Sequence, residues 1–360
     1  SLGVVTMLWV VVGFSLAFGD PIGITIDGTH YGLIGNPFQF MFFDQVGPLP
    51  NKVLGATIPF VLFALFQMKF AVITPAIITG SFAERVRFIG YLFFIGIFTV
   101  FVYAPLCHMV WHPQGLIGAY FGVVDFAGGT VVHISAGLAS LAGALFIGKR
   151  KNPHHDPSNI TYVLLGTGML WFGWFGFNAG SSFAANGTAA MAFATTTISS
   201  ATAMMTWVLF DRIQGRKISA MQACIGAVVG LVVITPAAGF ITIPQSFIFG
   251  FFGAIVSNVM MNAKFLRKID DTLDVFACHG IGGIMGMILT AIFANKPGSS
   301  LLYGGWGVFA SHMLVLVGVA VFSFVMSYAI LFILNKFVTL RVREEYEEIG
   351  LDLSQHGESV

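Results

Sequence analysis

A polytopic bundle of about ten membrane-spanning helices is the fold class this sequence predicts, and three observations predict it. First, the 360 residues are 56% hydrophobic and only 9% charged, with a mean hydropathy of +0.86. A soluble domain carries roughly 25% charged residues, so a chain this poor in charge cannot cover a water-facing surface, and lipid must be its solvent. Second, apolar segments long enough to cross a bilayer recur along nearly the whole chain. Third, the basic residues fall almost entirely on alternate loops.

The first segment covers 2–19. It opens abruptly at Ser1, with neither an initiator Met nor a cleavable signal pattern, so the true N-terminus is expected to lie upstream. Further spans are expected at 53–80, 88–111, 126–148, 160–184, 188–210, 218–236, 245–262, 274–294 and 306–338. Strands of a membrane barrel would alternate polar and apolar residues. These segments do not, so helices are the reading.

Lysine and arginine placement tests that layout. Let the first span run from the cytoplasm outward. The inner loops then hold Arg85 and Arg87; Lys149, Arg150 and Lys151; Arg212, Arg216 and Lys217; Lys264, Arg267 and Lys268; and Lys336, Arg341 and Arg343. That is fourteen of the seventeen basic residues. The outer loops hold Lys52 and Lys296, and Lys69 lies within a span. Such a bias is the positive-inside rule acting on every loop at once.

Two regions follow: a membrane domain over 1–338, and a polar, acidic tail over 339–360 that this orientation makes cytoplasmic. The tail is either a solvated end or a docking and regulatory segment. Cys107, Cys224 and Cys278 sit in or beside apolar stretches without CxxC spacing, so they read as small buried side chains. No metal or cofactor is expected, and the net charge of +1 gives no reason to expect a nucleic acid.

A weak internal echo is present. Asp125 precedes His133 by eight residues, and Asp274 precedes His279 by five; small residues follow each His. The two segments run in opposite directions in the layout above. That suggests an inverted repeat, a common transporter architecture.

Ionisable groups inside a membrane are expensive and are functional candidates by default. His133 lies about 10 Å below the outer end of its span and His279 about 8 Å from the inner end of its own, at 1.5 Å per residue. In a core about 30 Å thick the two can meet near the middle. Neutral imidazole donates at one nitrogen and accepts at the other, so a pair makes a polar strip for a small hydrogen-bonding solute or a proton. The alternative is a buried His that bonds a backbone carbonyl. Phe66 and Phe70 share a helix face, Trp111 ends a span on the outer side, and Trp171, Phe172, Trp174, Phe175 and Phe177 crowd another, with Asn178 and Ser181 just beyond. Aromatic faces attract small cations; the competing reading is an interfacial belt plus packing. His108 reads as interfacial or packed. His30, His112, His154, His155 and His356 fall in loops or the tail. Lys69 either faces a cavity or snorkels. Asp125 and Asp274 start helices, where a carboxylate caps free N–H groups and meets the positive dipole end, and both read as structural.

These residues resemble a known family. Asp125-Phe-Ala-Gly-Gly-Thr-Val-Val-His133, Trp174-Phe-Gly-Phe177-Asn-Ala-Gly-Ser181 and Asp274-Val-Phe-Ala-Cys-His279-Gly are similar to the signatures of the ammonium transporter (Amt/Mep/Rh) family. Ala83-Glu84-Arg85-Val86-Arg87 and Gly350-Leu-Asp-Leu-Ser-Gln-His-Gly in the tail fit as well. The resemblance implies an eleven-helix protomer built on inverted five-helix repeats, assembled as a homotrimer in the plasma membrane with one pore per subunit. By motif, Phe66, Trp111 and Ser181 would form an outer ammonium site. Phe70 and Phe177 would stack as the gate below it, and His133 and His279 would line the narrow pore with Trp174 beside them. The tail would contact neighbouring subunits and a PII-type signalling protein. Against the family's eleven spans the sequence offers ten, and the first family helix is expected to be the absent one.

The function this implies is transport of ammonium, deprotonated below the gate and conducted as ammonia, with or without the proton. One rival is a sensor on the same fold that binds ammonium and signals through the tail. Another is a membrane haem protein with His133 and His279 as axial ligands. An intramembrane enzyme finds no support, because no nucleophile–base set has a recognisable spacing.

Overall fold

The computed structural model describes residues 1–153, 159–263, 265–295, 298 and 300–358. His154, His155, Lys264 and Lys296 therefore lie outside the described residues. Ten long helices run back and forth among those described: α1 (Leu2–Phe18), α2 (Phe60–Ser81), α3 (Phe88–Trp111), α4 (Gly129–Ile147), α5 (Ile160–Gly180), α6 (Gly187–Ile213), α7 (Ala220–Ile234), α8 (Ile243–Met261), α9 (Phe276–Phe293) and α10 (Trp306–Phe337). Each falls within or close to an expected span. Seven of them are both long and apolar enough to cross a membrane, while α1 and α7 are shorter and apolar.

The helix α6 is long but rich in Ser, Thr and Ala, and its chemistry serves packing. Ser199 Oγ donates to the Gly230 carbonyl at 2.8 Å, Ser200 Oγ to Ala227 at 2.9 Å and Thr195 Oγ1 to Ala238 at 2.8 Å. Small hydroxyl residues let two helices approach closely and replace lost water with cross-helix bonds.

One element departs from the all-helical expectation. β1 (Pro21–Ile26) and β2 (Thr29–Gly35) form an antiparallel hairpin after α1. The alternation Ile22-Gly-Ile24-Thr-Ile26 and the Asp27-Gly28 pair are its sequence signal. Asp27 (φ 49°) and Gly28 (φ 79°) are both left-handed, as a two-residue hairpin turn requires. Each strand is too short to register among apolar runs of bilayer length.

Two features position the site. The helices α4 and α9 cross where Gly137 meets Gly280, and a Cβ added to Gly137 would overlap the Gly280 backbone. At the end of the bundle opposite the hairpin, charged loops knit together. Asp270 bonds Arg85 (2.6 Å) and Arg150 (2.8 Å), Arg150 also bonds Glu84 (3.0 Å), and Arg341 reaches Glu347 (3.1 Å) and the Ile147 carbonyl (2.9 Å). Burial alone would raise Asp270, but the Arg150 hydrogen bonds and the Arg85 charge outweigh it and hold the carboxylate below its usual range. These basic residues are ones the sequence assigned to the inner loops. The tail segment lies on the same face: Arg87 N donates to the Leu340 carbonyl and Val342 N to that of Arg85.

Candidate functional site

The path begins at a cavity of about 120 Å³ lined by Gln67, Phe70, Trp111, Ser181 and Phe183 among others. Trp111 is oriented by its indole N–H, which donates to the Asp125 carbonyl at 3.0 Å. Ser181 Oγ donates to the Phe177 carbonyl at 2.9 Å. With its proton so engaged, the hydroxyl presents lone pairs as acceptors.

Phe66 sits beside this cavity rather than in its lining. It packs edge-on against Phe70 (5.0 Å) and Phe183 (5.6 Å), and a Cβ on Gly180 would come within 2.7 Å of its ring. It lines instead a second cavity of about 500 Å³ between α2 and α5, together with Lys69, Phe70, Trp174 and Phe177. Lys69 is thus an exposed side chain facing a cleft that Phe70 and Phe177 also border.

Below the outer cavity a file of rings descends. Phe70 meets Trp111 at 5.6 Å and Phe177 at 4.6 Å, edge-on in both cases. Phe177 stacks near-parallel on Trp174 (4.8 Å) and on His133 (5.9 Å). His133 lies parallel to Trp174 at 5.4 Å and meets His279 at 5.3 Å, with their Nδ1 atoms 3.3 Å apart. The imidazole pair therefore shares one hydrogen bond, and His133 Nε2 is buried without a protein partner. On the far side His279 borders a cavity of about 500 Å³ with Thr79, Gly80, Cys224 and Leu273.

The backbone explains why the histidines meet. His133 lies in a π-helical turn, Gly129–Ile134, where its N–H reaches back five residues to the Gly128 carbonyl at 3.0 Å. His279 lies in a second such turn, Phe276–Ile281. Wide turns of this kind recur at functional sites because they redirect one side chain without ending the helix. Gly283 lets α9 close on α4, since a Cβ there would stand 3.0 Å from that of His133.

Asp125 caps the first of these turns. Its Oδ1 accepts from Gly128 N and Gly129 N, and its Oδ2 accepts from Thr130 N, all at 2.7 Å, and from the Thr130 hydroxyl. At the second turn Asp271 Oδ2 accepts from Phe276 N at 2.7 Å. Asp274, at φ 52°, donates its N–H to the Asp271 carbonyl and offers its own carbonyl to Cys278 N.

Three contributors escaped the sequence reading. Gln67 lines the outer cavity with a buried Oε1 that has no protein partner; a lone amide one turn from Phe70 was its signal. Thr235 fixes Trp174 by accepting its indole N–H at 3.0 Å. Asp271 repeats, before His279, the eight-residue spacing of Asp125 before His133. His108 is fully buried away from the rings, its Nδ1 3.0 Å from the Ala17 carbonyl, and it stacks on His112 at 4.5 Å. The three cysteines are free and buried.

Comparison with known proteins matches this arrangement to one family. The family described as the Ammonium Transporter Family matches residues 1–360. An ammonium transporter of Aquifex aeolicus is 42% identical over 366 residues, covering 99% of this chain and 82% of that protein. Mep2 of Candida albicans superposes with a TM-score of 0.86 at 32% identity, covering 95% of this chain and 77% of the other. A protein titled Sensor Amt Protein superposes with a TM-score of 0.85 at 27% identity, over 98% and 87% of the two chains.

Proposed function

This chain belongs to the ammonium transporter family, and we propose from that premise that it is a multi-pass membrane transporter that recruits ammonium outside, strips its proton and conducts ammonia inward. The observation that carries the reading is the unbroken file Trp111, Phe70, Phe177, His133, His279, with successive centroids 4.6 to 5.9 Å apart, joining the small outer cavity to the inner one.

The physical problem is to pass ammonium and refuse potassium. A lumen of rings and two imidazoles cannot replace the hydration shell of a metal ion. Ammonium can shed its charge by giving up a proton, and potassium cannot. At the outer cavity the cation would meet aromatic faces, worth about 0.5–2 kcal/mol, with Ser181 Oγ and Gln67 Oε1 as acceptors; Phe66 acts there by bracing Phe70. Phe70 and Phe177 close the lumen below. Beyond them His133 and His279 offer alternate donors and acceptors, replacing the water that ammonia leaves behind.

We assign 1–338 to this transport domain and 339–360 to a cytoplasmic regulatory tail. The bonding of the tail to the loops around Arg85 and Ile147 supports that assignment. A plasma-membrane location and a homotrimer fit the same reading. The lightly buried, apolar α5 supports self-association. A PII-type protein at the inner face rests on the sequence resemblance.

The test is a current recorded from reconstituted protein on a solid-supported membrane after an ammonium jump, with potassium as control. Current with ammonium alone supports charge-coupled transport. With no current, a pH-sensitive dye inside the same liposomes separates neutral ammonia conduction from a sensor, which would bind without flux.

A further inference from the structure

Asp125 and Asp271 hold corresponding places. Each stands eight residues before its pore histidine, and each uses Oδ2 to accept the backbone N–H five residues on, at 2.7 Å in both cases. The caps differ in how fully they are satisfied. Four donors converge on the Asp125 carboxylate. Asp271 Oδ1 is buried with no hydrogen-bond partner in the protein.

The surroundings of Asp271 couple it to the pore. Its turn carries two non-glycine residues in the left-handed region, Asp270 (φ 62°) and Asp274 (φ 52°). The turn is pinned to the end of α2 by Thr272 N on the Ser81 carbonyl and Leu273 N on that of Gly80. Leu273 and His279 border the same inner cavity. Arg85, from the loop after α2, and the adjacent Asp270 are the charges acting on Asp271, and Asp274 on the same turn and Cys278 in α9 are the other titratable groups beside it. Arg85 is already bonded to Asp270, which Arg150 shares, with Glu84 beyond. Burial pushes the Asp271 carboxyl up to about 6, against the backbone N–H bonds of Phe276 and Val275 and the Arg85 charge.

We propose that Asp271 positions His279 through the first turn of α9, and that a proton taken up by Asp271 from the cytoplasmic side loosens that hold, making the pore responsive to inner pH. A carboxylate is a strong, charge-assisted acceptor; once protonated it gains a donor and loses that strength toward Phe276 N.

The flux arm of the test rests on the transport reading above; two spectroscopic arms do not. In full-length protein in liposomes, inner pH is stepped from about 7.5 to about 5.5. Wild-type flux, divided by that of Asp271→Asn at each pH to cancel ammonium speciation, is expected to fall about threefold or more. Infrared difference spectra are expected to show a protonated-carboxyl band that appears as pH passes about 6 and is missing in Asp271→Asn. The ¹⁵N signals of the His279 imidazole are expected to shift with the same midpoint in wild type and stay still in the variant. A band that first appears near pH 4, in the ordinary carboxyl range, overturns the proposal. So does a His279 signal indifferent to the band, or a flux ratio flat across the range. Absence of flux in both proteins sinks the transport reading, and the two spectra still decide this one.

Discussion

His133 Nδ1 and His279 Nδ1 face each other at 3.3 Å. One of the two must carry the hydrogen and the other must accept it, so the pair has a direction, and the tautomer of one ring sets that of the other. Reversing that direction takes two proton movements, one across the Nδ1–Nδ1 bond and one from the donor Nε2 to the acceptor Nε2, because the first alone would leave an imidazolate beside an imidazolium. A solute moving along the file meets an acceptor followed by a donor, or the reverse, and never two alike.

His279→Ala removes one member of the pair and leaves His133, buried and without another protein partner, to face the lumen alone. One lost buried hydrogen bond is worth about 1 kcal/mol or somewhat more, so ammonium-dependent flux should drop by about tenfold. The accompanying void admits water, and potassium current should rise above background. Unchanged flux with full rejection of potassium would sink the role given to the imidazoles.

Gln67→Leu keeps the size of the side chain and deletes the acceptor from the outer cavity. The half-saturating ammonium concentration should rise about tenfold or more, in line with about 1.5–3 kcal/mol for a hydrogen bond to a charged group, with little change in maximal flux. An unaltered half-saturation point would remove Gln67 from recruitment.

Gly137→Ala drives a methyl into the backbone of Gly280 at the crossing of α4 and α9. Overpacking of this kind costs about 1–3 kcal/mol, so the melting temperature in detergent should fall. The imidazoles should also separate, lowering flux in whatever protein folds. Normal melting and flux together would show that the crossing tolerates a wider spacing.

Asp270→Asn strips the carboxylate from between Arg85 and Arg150. Removing one partner of a buried pair costs about 3–5 kcal/mol, and Arg85 is fully buried. The pH dependence carries a definite sign. The Asp270 carboxyl is held below its ordinary value of 3.8, so its contribution is complete above that value and fades only as pH falls through the lower, folded one. Thermal unfolding of wild type should therefore gain nothing from this pair between about pH 5 and pH 8, and lose stability below about pH 4. The gap between wild type and Asp270→Asn should close over the same low range. A gap that stays constant down to pH 3 contradicts the pairing.

Some residues could be read directly and others could not. His133 and His279 stood out because a titratable ring is rare and costly in an apolar run. Phe70 and Phe177 could be paired by motif, but no spacing rule gives the 62° angle at which they meet. Asp271 was hidden behind Asp274, which lies nearer to His279 in the chain. Only the bond from Phe276 N showed that the eight-residue spacing is the one that repeats. Phe66 was assigned to the outer cavity by motif, whereas the packing of Gly180 against its ring turns it to the neighbouring cleft.

By itself the sequence determined the solvent and the helices, and it sorted the basic residues onto alternate loops. These follow from composition, run length and charge, which act locally and add along the chain. Only the tertiary structure decided which rings touch. Residues 146 positions apart, His133 and His279, become neighbours because Gly137 and Gly280 let two backbones close to contact. That closeness depends on atoms missing from both helices at once, and no local pattern in either helix records it.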